Sequence, residues 1–119
     1  MKVSLAWYEV TDFEKAKEFY GNVLGLKNTF SMPQWMEFSA DGDRKEVSIG
    51  LALRPEAKPG NGGATVVFNV PDVEAKVKEL SAKSVPFDGP INEYPGVVRI
   101  ATFHDPFGNK LQLAQVLMR

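Results

Sequence analysis

A single histidine, His104, and the absence of cysteine set the limits of the chemistry this chain can do. Without thiols there are no disulfides, thiolate zinc sites or cysteine nucleophiles, and nothing calls for an oxidising compartment. One histidine also removes every two- or three-histidine metal site from a single chain, and a Ser-His-Asp arrangement exists only if built around His104. His104 directly precedes Asp105-Pro106-Phe107-Gly108, whose Asp, Pro and Gly hold the preferred first, second and fourth positions of a type I turn. Two readings stay open for it, a turn histidine and an acid–base residue; the one carboxylate at useful sequence spacing is the turn's own Asp105. No catalytic residue is assigned. Gly60-Asn61-Gly62-Gly63 has the glycine content of a phosphate loop, but no Lys-Ser/Thr follows and the next element reads as a strand, so it is a linker.

Three further residues carry chemistry worth placing. Glu9 shares a strand face with Leu5 and Trp7, so it sits either at a solvated rim or where it meets a cationic or hydroxyl-bearing ligand. Trp7 and Trp35 are either core or dimer contacts, or the aromatic wall of a site for a flat ligand.

The elements that must hold these residues follow from periodicity. Residues 3–10 alternate as a strand, and Thr11-Asp12-Phe13-Glu14 has capping-box spacing. Phe13, Ala16, Phe19, Tyr20, Val23 and Leu24 then recur at helical intervals before Gly25, the expected left-handed stop. Strands are expected at 27–31, 35–40 and 46–53, the last two joined by the hairpin signal Asp41-Gly42-Asp43. Residues 54–63, dense in Pro, Gly and polar residues, form the linker. Beyond it come a strand at 65–70, a helix capped by Asp72 and bearing Val73, Val77 and Leu80, and strands near 85–87, 97–103 and 110–116. Asp72 falls on Asp12 and Phe68 on Tyr8 at a constant offset of 60 residues, so the chain is an internal duplication. The reading is α+β: two βαβββ modules in tandem, module 1 about 1–55 and module 2 about 64–119, within a single domain 1–119.

Composition agrees with a packed globule: 119 residues suit one core of about 100–150 residues, and 44% are hydrophobic. Fourteen basic against fifteen acidic residues leave a formal charge of -1, which supplies no footprint for nucleic acid or an anionic membrane. No stretch approaches the ~20 apolar residues of a membrane span, and the first residues reach an acid too soon for a secretory leader, so the cytoplasm is the expected location.

Val10-x-Asp12, Phe19-Tyr20 and Leu24-Gly25-Leu26, with Phe103-x-Asp105-Pro106-x-Gly108-Asn109-Lys110-Leu111-x-Leu113, resemble the vicinal oxygen chelate superfamily. Its members include glyoxalase I, ring-cleaving dioxygenases and the bleomycin-resistance binding proteins. The resemblance covers nearly the whole chain and implies that paired modules curl their strands into a cup with the helices outside. It assigns Leu5, Trp7 and Glu9 to the cup lining, with Thr65, Val67 and Asn69 as their partners in the second half. Lys110, Gln112 and Ala114, and Val98, Ile100 and Thr102, line it from the last two strands, and Trp35, Glu37 and Ser39 close one side. Alternation sends Val47, Ile49, Leu51 and Leu53 beneath the helices and Glu46, Ser48, Gly50 and Ala52 to the lining, where small side chains leave space.

Metal-dependent members of the family hold a divalent ion with four side chains on four strands, and the resemblance places Leu5, Gly50, Thr65 and Gln112 at those positions. Leucine and glycine have no side-chain donor, and a lone threonine hydroxyl and glutamine amide do not hold a hard cation, so no metal or other cofactor is expected. A rebuilt site using Glu9, Glu37 and Glu46 is the alternative. The expected function is metal-independent binding of a small molecule, of the bleomycin-resistance type, by a homodimer whose groove is lined by Trp7, Glu9, Trp35, Glu37, Asn69, Ile100, Thr102 and Gln112. The alternatives are a glyoxalase- or dioxygenase-like enzyme in which Gln112, Glu9 or Glu37 and His104 act, and a structural or regulatory domain without ligand.

Overall fold

Strand β1 (Leu5–Val10) buries Tyr8 and Val10 on one face and presents Trp7 and Glu9 on the other. The structure, a computed structural model, describes residues 5–60 and 65–117, so the expected strand residues 3 and 4 and linker residues 61–63 lie outside the described residues. After β1 the backbone turns into α1 (Phe13–Lys17), and its N-cap is Asp12, whose carboxylate accepts from the Lys15 N–H at 3.1 Å. The capping box expected from Thr11 is therefore shifted by one residue. The helix widens into a π-helical turn over Glu18–Val23, which puts the consecutive rings of Phe19 and Tyr20 into the core at 5.2 Å in edge-on contact. Gly25 ends it with φ +78°.

Strands β2 (Lys27–Met32), β3 (Trp35–Ser39) and β4 (Ser48–Leu53) complete the first sheet in the order β1-β4-β3-β2. β1 and β4 are parallel and the other pairs antiparallel. Tyr8, Val10, Met36, Phe38, Ile49 and Leu51 are buried, as are Ala16, Phe19 and Tyr20, and the Tyr20 and Phe38 rings lie 6.1 Å apart. Burying each large apolar side chain of this kind is worth roughly 1.5–3 kcal/mol. The connection between β3 and β4 is a longer loop than Asp41-Gly42-Asp43 suggested, with Glu46 turned back to accept from the Asp41 N–H at 2.7 Å. As a result Val47 is not beneath the helix; it lies in the loop, 65% exposed.

The second unit repeats the plan with β5 (Val66–Asn69), α2 (Val73–Ala82), β6 (Asn92–Tyr94), β7 (Val98–His104) and β8 (Lys110–Val116) in the order β5-β8-β7-β6. Again the first and last strands are parallel. Asp72 caps α2 by accepting from the Ala75 N–H, and Gln115 Oε1 accepts from the Val73 N–H at 3.0 Å, tying the helix start to β8. Val73, Leu80, Val85, Ala101, Phe103, Leu111 and Leu113 are buried.

The strand expected at 85–87 does not form. Ser84 takes a left-handed φ of +69° and the Val85 N–H closes the helix end on the Leu80 carbonyl, so this stretch ends α2 and leaves a single bridge from Phe87 to Phe103. The edge strand is the exposed β6, held through Arg99, whose guanidinium reaches Glu74 on α2 at 2.6 Å and Glu93 on β6 at 3.0 Å. The hydrogen bond to Glu74 raises the Arg99 pKa further.

Candidate functional site

In the first unit, strand register builds a face opposite the helix from two rows of side chains. Trp7, Gly50, Glu37 and Phe30 are successive partners across β1, β4, β3 and β2; Glu9, Ala52, Trp35 and Met32 form the next row. Period-two alternation within each strand and the register between strands thus bring Trp7, Glu9, Trp35 and Glu37 to one surface.

The space at Gly50 is filled. A Cβ at that position would sit well inside van der Waals contact of Trp35 Cη2 and Cζ2, and 3.2 Å from Trp7 Cβ. The indole therefore lies across the glycine, where a longer side chain on β4 would otherwise project. Its Nε1–H donates to Glu37 Oε2 at 2.7 Å, and the other oxygen of Glu37, Oε1, lies 3.5 Å from Arg44 Nε. Arg44 in turn stacks its guanidinium 4.0 Å from the Phe30 ring centre. Glu37 is only 8% exposed, so this buried carboxylate is held by a charge-assisted network. The Trp7 ring lies 6.1 Å from that of Trp35 and is half exposed.

Beside the tryptophans a cleft of about 460 Å³ has Trp7, Trp35, Met32 and Ala52 among its lining residues, together with Gln34 and Arg54. An adjoining cleft of about 400 Å³ is lined by Glu9 and Glu56, and Gln34 and Arg54 line both. Glu9 is half exposed with its Oε2 3.7 Å from Arg54 Nε. Arg44, Arg54 and Gln34 escaped the sequence reading because they sit in loops or past strand ends, outside any periodic signal.

In the second unit, Val67, Gln112 and Thr102 form one row, and Asn69, Ala114, Ile100 and Asn92 the next. Gln112 Nε2 donates to Thr102 Oγ1 at 3.1 Å. Asn69 is exposed, and Ile100 is half-buried. Register equates Trp7 with Val67, Glu9 with Asn69, Trp35 with Ile100, Glu37 with Thr102 and Gly50 with Gln112. His104 faces a carboxylate that sequence spacing did not reveal, with Asp88 Oδ2 3.4 Å from its Nδ1. Asp105 is buried and accepts from the backbone and side-chain N–H groups of Asn109, which locks the turn.

The four positions that the family resemblance assigns to metal ligands do not fit a divalent ion. Leu5 has no donor, the side-chain direction of Gly50 is blocked by an indole, Thr65 is exposed beyond the end of β5, and the Gln112 amide is engaged with Thr102. Glu46, offered as a replacement carboxylate, is in the β3–β4 loop, and among the described residues no three His, Cys, Asp or Glu side chains gather as a metal would need.

Residues 4–113 match the family described as Glyoxalase/Bleomycin resistance protein/Dioxygenase superfamily. TnmS3, an antibiotic binding protein from Streptomyces sp. CB03234, is 30% identical, with 98% of this chain and 96% of that one covered and a TM-score of 0.80. A member of the same superfamily from Sphaerobacter thermophilus DSM 20745 is 27% identical, with 97% of each chain covered and a TM-score of 0.79. The uncharacterized protein YurT of Bacillus subtilis (strain 168) is 28% identical over 97% of this chain and 99% of its own length.

Proposed function

Since the chain belongs to the Glyoxalase/Bleomycin resistance protein/Dioxygenase superfamily, we propose that it is a metal-independent binding protein of the bleomycin-resistance type, which sequesters a flat small molecule in the cytoplasm. The observation that carries this reading is the Trp35 indole lying across Gly50. It replaces a metal-ligand position with an aromatic wall, and the half-exposed Trp7 beside it offers a second ring for stacking. Binding asks only for an apolar wall and a few fixed polar groups; in the first unit Arg54, Gln34 and Glu9 are the candidates for the latter, and on the equivalent face of the second unit Asn69, Thr102 and Gln112. The likeness to an antibiotic binding protein adds support.

Chelation and metal addition test the reading directly. EDTA is expected to leave the melting temperature unchanged, and Ni²⁺, Mn²⁺ and Zn²⁺ to add nothing, whereas a saturating planar ligand at about a hundred times its Kd adds roughly 2.7 kcal/mol. A drop of several degrees on chelation, reversed by one of the metals, would show a bound divalent ion and overturn the metal-independent reading.

The same reading includes a homodimer. The second unit leaves Val67, Tyr94 and Val116 about half exposed on the face opposite α2, and a partner chain would cover them. Sedimentation equilibrium at micromolar concentration is expected to return twice the chain mass; a clean single-chain mass removes this part of the proposal. Among the described residues no helix is long and apolar enough to cross a membrane.

A further inference from the structure

Resting on the binding function proposed above, the geometry points to a ligand class: we infer that the tryptophan cleft takes planar aromatic molecules carrying an acidic oxygen edge, recognised by Arg54. The two carboxylates on this face make an acidic site for cations look natural, but each already has a cation beside it. Glu37 gives one oxygen to the Trp35 indole and the other to Arg44, and it does not line the cleft. Glu9 lines the adjoining cleft with Glu56, not this one.

Among the described residues Arg54 is the one charged side chain lining the aromatic cleft. Its side chain is half exposed, and its contact with Glu9 at 3.7 Å is longer than a hydrogen bond, so most of its five N–H donors remain available. The adjacent Gln34 adds an amide that donates as well. Trp7 and Trp35 supply ring faces, and Ala52, nearly fully buried between Glu9 and Trp35, is a shallow floor that leaves room for a flat molecule. A ring against the tryptophans with a carboxylate or phenolate at its edge would place that oxygen at the guanidinium, which suits planar bidentate recognition.

The test uses three probes of one shape: naphthalene-2-carboxylate, naphthalene-2-carboxamide and naphthalen-2-ylmethylammonium. The protein has two tryptophans, both on this face, so the two indole N–H signals of a ¹⁵N-labelled sample report binding at the site and calorimetry gives affinity. The carboxylate is expected to bind about ten-fold more tightly than the other two. Arg54→Gln abolishes that preference and leaves the carboxamide unchanged, while Arg54→Lys retains part of it. Glu9→Gln strengthens carboxylate binding a few-fold by releasing Arg54, the opposite sign to that of a cation site. Tightest binding by the ammonium probe, weakened by Glu9→Gln, overturns the inference and leaves the binding function standing. So does a carboxylate preference that survives Arg54→Gln. If no probe moves either indole signal or registers heat, the proposed aromatic site falls together with the inference.

Discussion

Gly50→Ala is expected to destabilise the protein by about 2–3 kcal/mol, lowering its melting temperature by roughly ten degrees. One methyl group is enough because the added Cβ would overlap Trp35 Cη2 and Cζ2 and press on Trp7 Cβ at 3.2 Å. The indole cannot swing aside freely, since its Nε1–H is anchored to Glu37 at 2.7 Å. Either the hydrogen bond breaks or β4 shifts, and Gly50 is buried mid-strand between β1 and β3. Trp35→Ala should remove the conflict, so Gly50→Ala in that background costs little. A thermal double-mutant cycle is therefore expected to show coupling of at least about 2 kcal/mol between the two positions. Additive effects would mean that the ring does not occupy the glycine's space.

Glu37→Ala is expected to cost a similar 2–3 kcal/mol, with Glu37→Gln losing less than half of that. The alanine variant leaves the Trp35 N–H without its acceptor and Arg44 without its nearby carboxylate, while glutamine retains a carbonyl oxygen for the indole and loses only the charge. The proton shift of the Trp35 indole N–H separates these effects: it moves upfield in the alanine variant and stays near its original position in the glutamine variant. Equal losses in both variants would assign the stabilisation to the ion pair with Arg44, and the hydrogen bond would then carry little of it.

Where the sequence was informative, a strict period was at work. Trp7 shares a face with Glu9, and Trp35 with Glu37, because strand side chains alternate, and the repeat of Asp12 at Asp72 marks two helix starts built in the same way. The failures occur where tertiary partners override local preference. Val85-Pro86-Phe87 has strand-like residue types, yet Pro86 has no N–H to give a ladder and the Val85 N–H is used by the helix end. Asn92-Glu93-Tyr94 has no hydrophobic alternation and becomes a strand through its pairing with β7, reinforced by Arg99. At Gly50 a small residue read as empty space, although a ring from the neighbouring strand fills it; volume in a packed sheet depends on both strands. The arginines that balance Glu9 and Glu37 have no periodic signature, and for that reason an acidic groove was expected where the structure has paired charges.

The strand order also governs how the chain matures on the ribosome. β1 has β4 as its neighbour in the sheet, Leu5 beside Ser48, while β2 and β3 already form an antiparallel pair with each other. Until the residues after Ser39 are added, the first strand, whose Tyr8 and Val10 are buried in the finished unit, has no β4 to pair with. Closure of the first unit waits for the segment containing Gly50, and closure of the second for the segment containing Gln112, because β5 likewise pairs with β8. Such long-range closure is slow compared with hairpin formation. Each half of the polypeptide therefore passes through synthesis with an open strand edge, a period in which a holding chaperone has something to bind and a neighbouring nascent chain has something to mispair with.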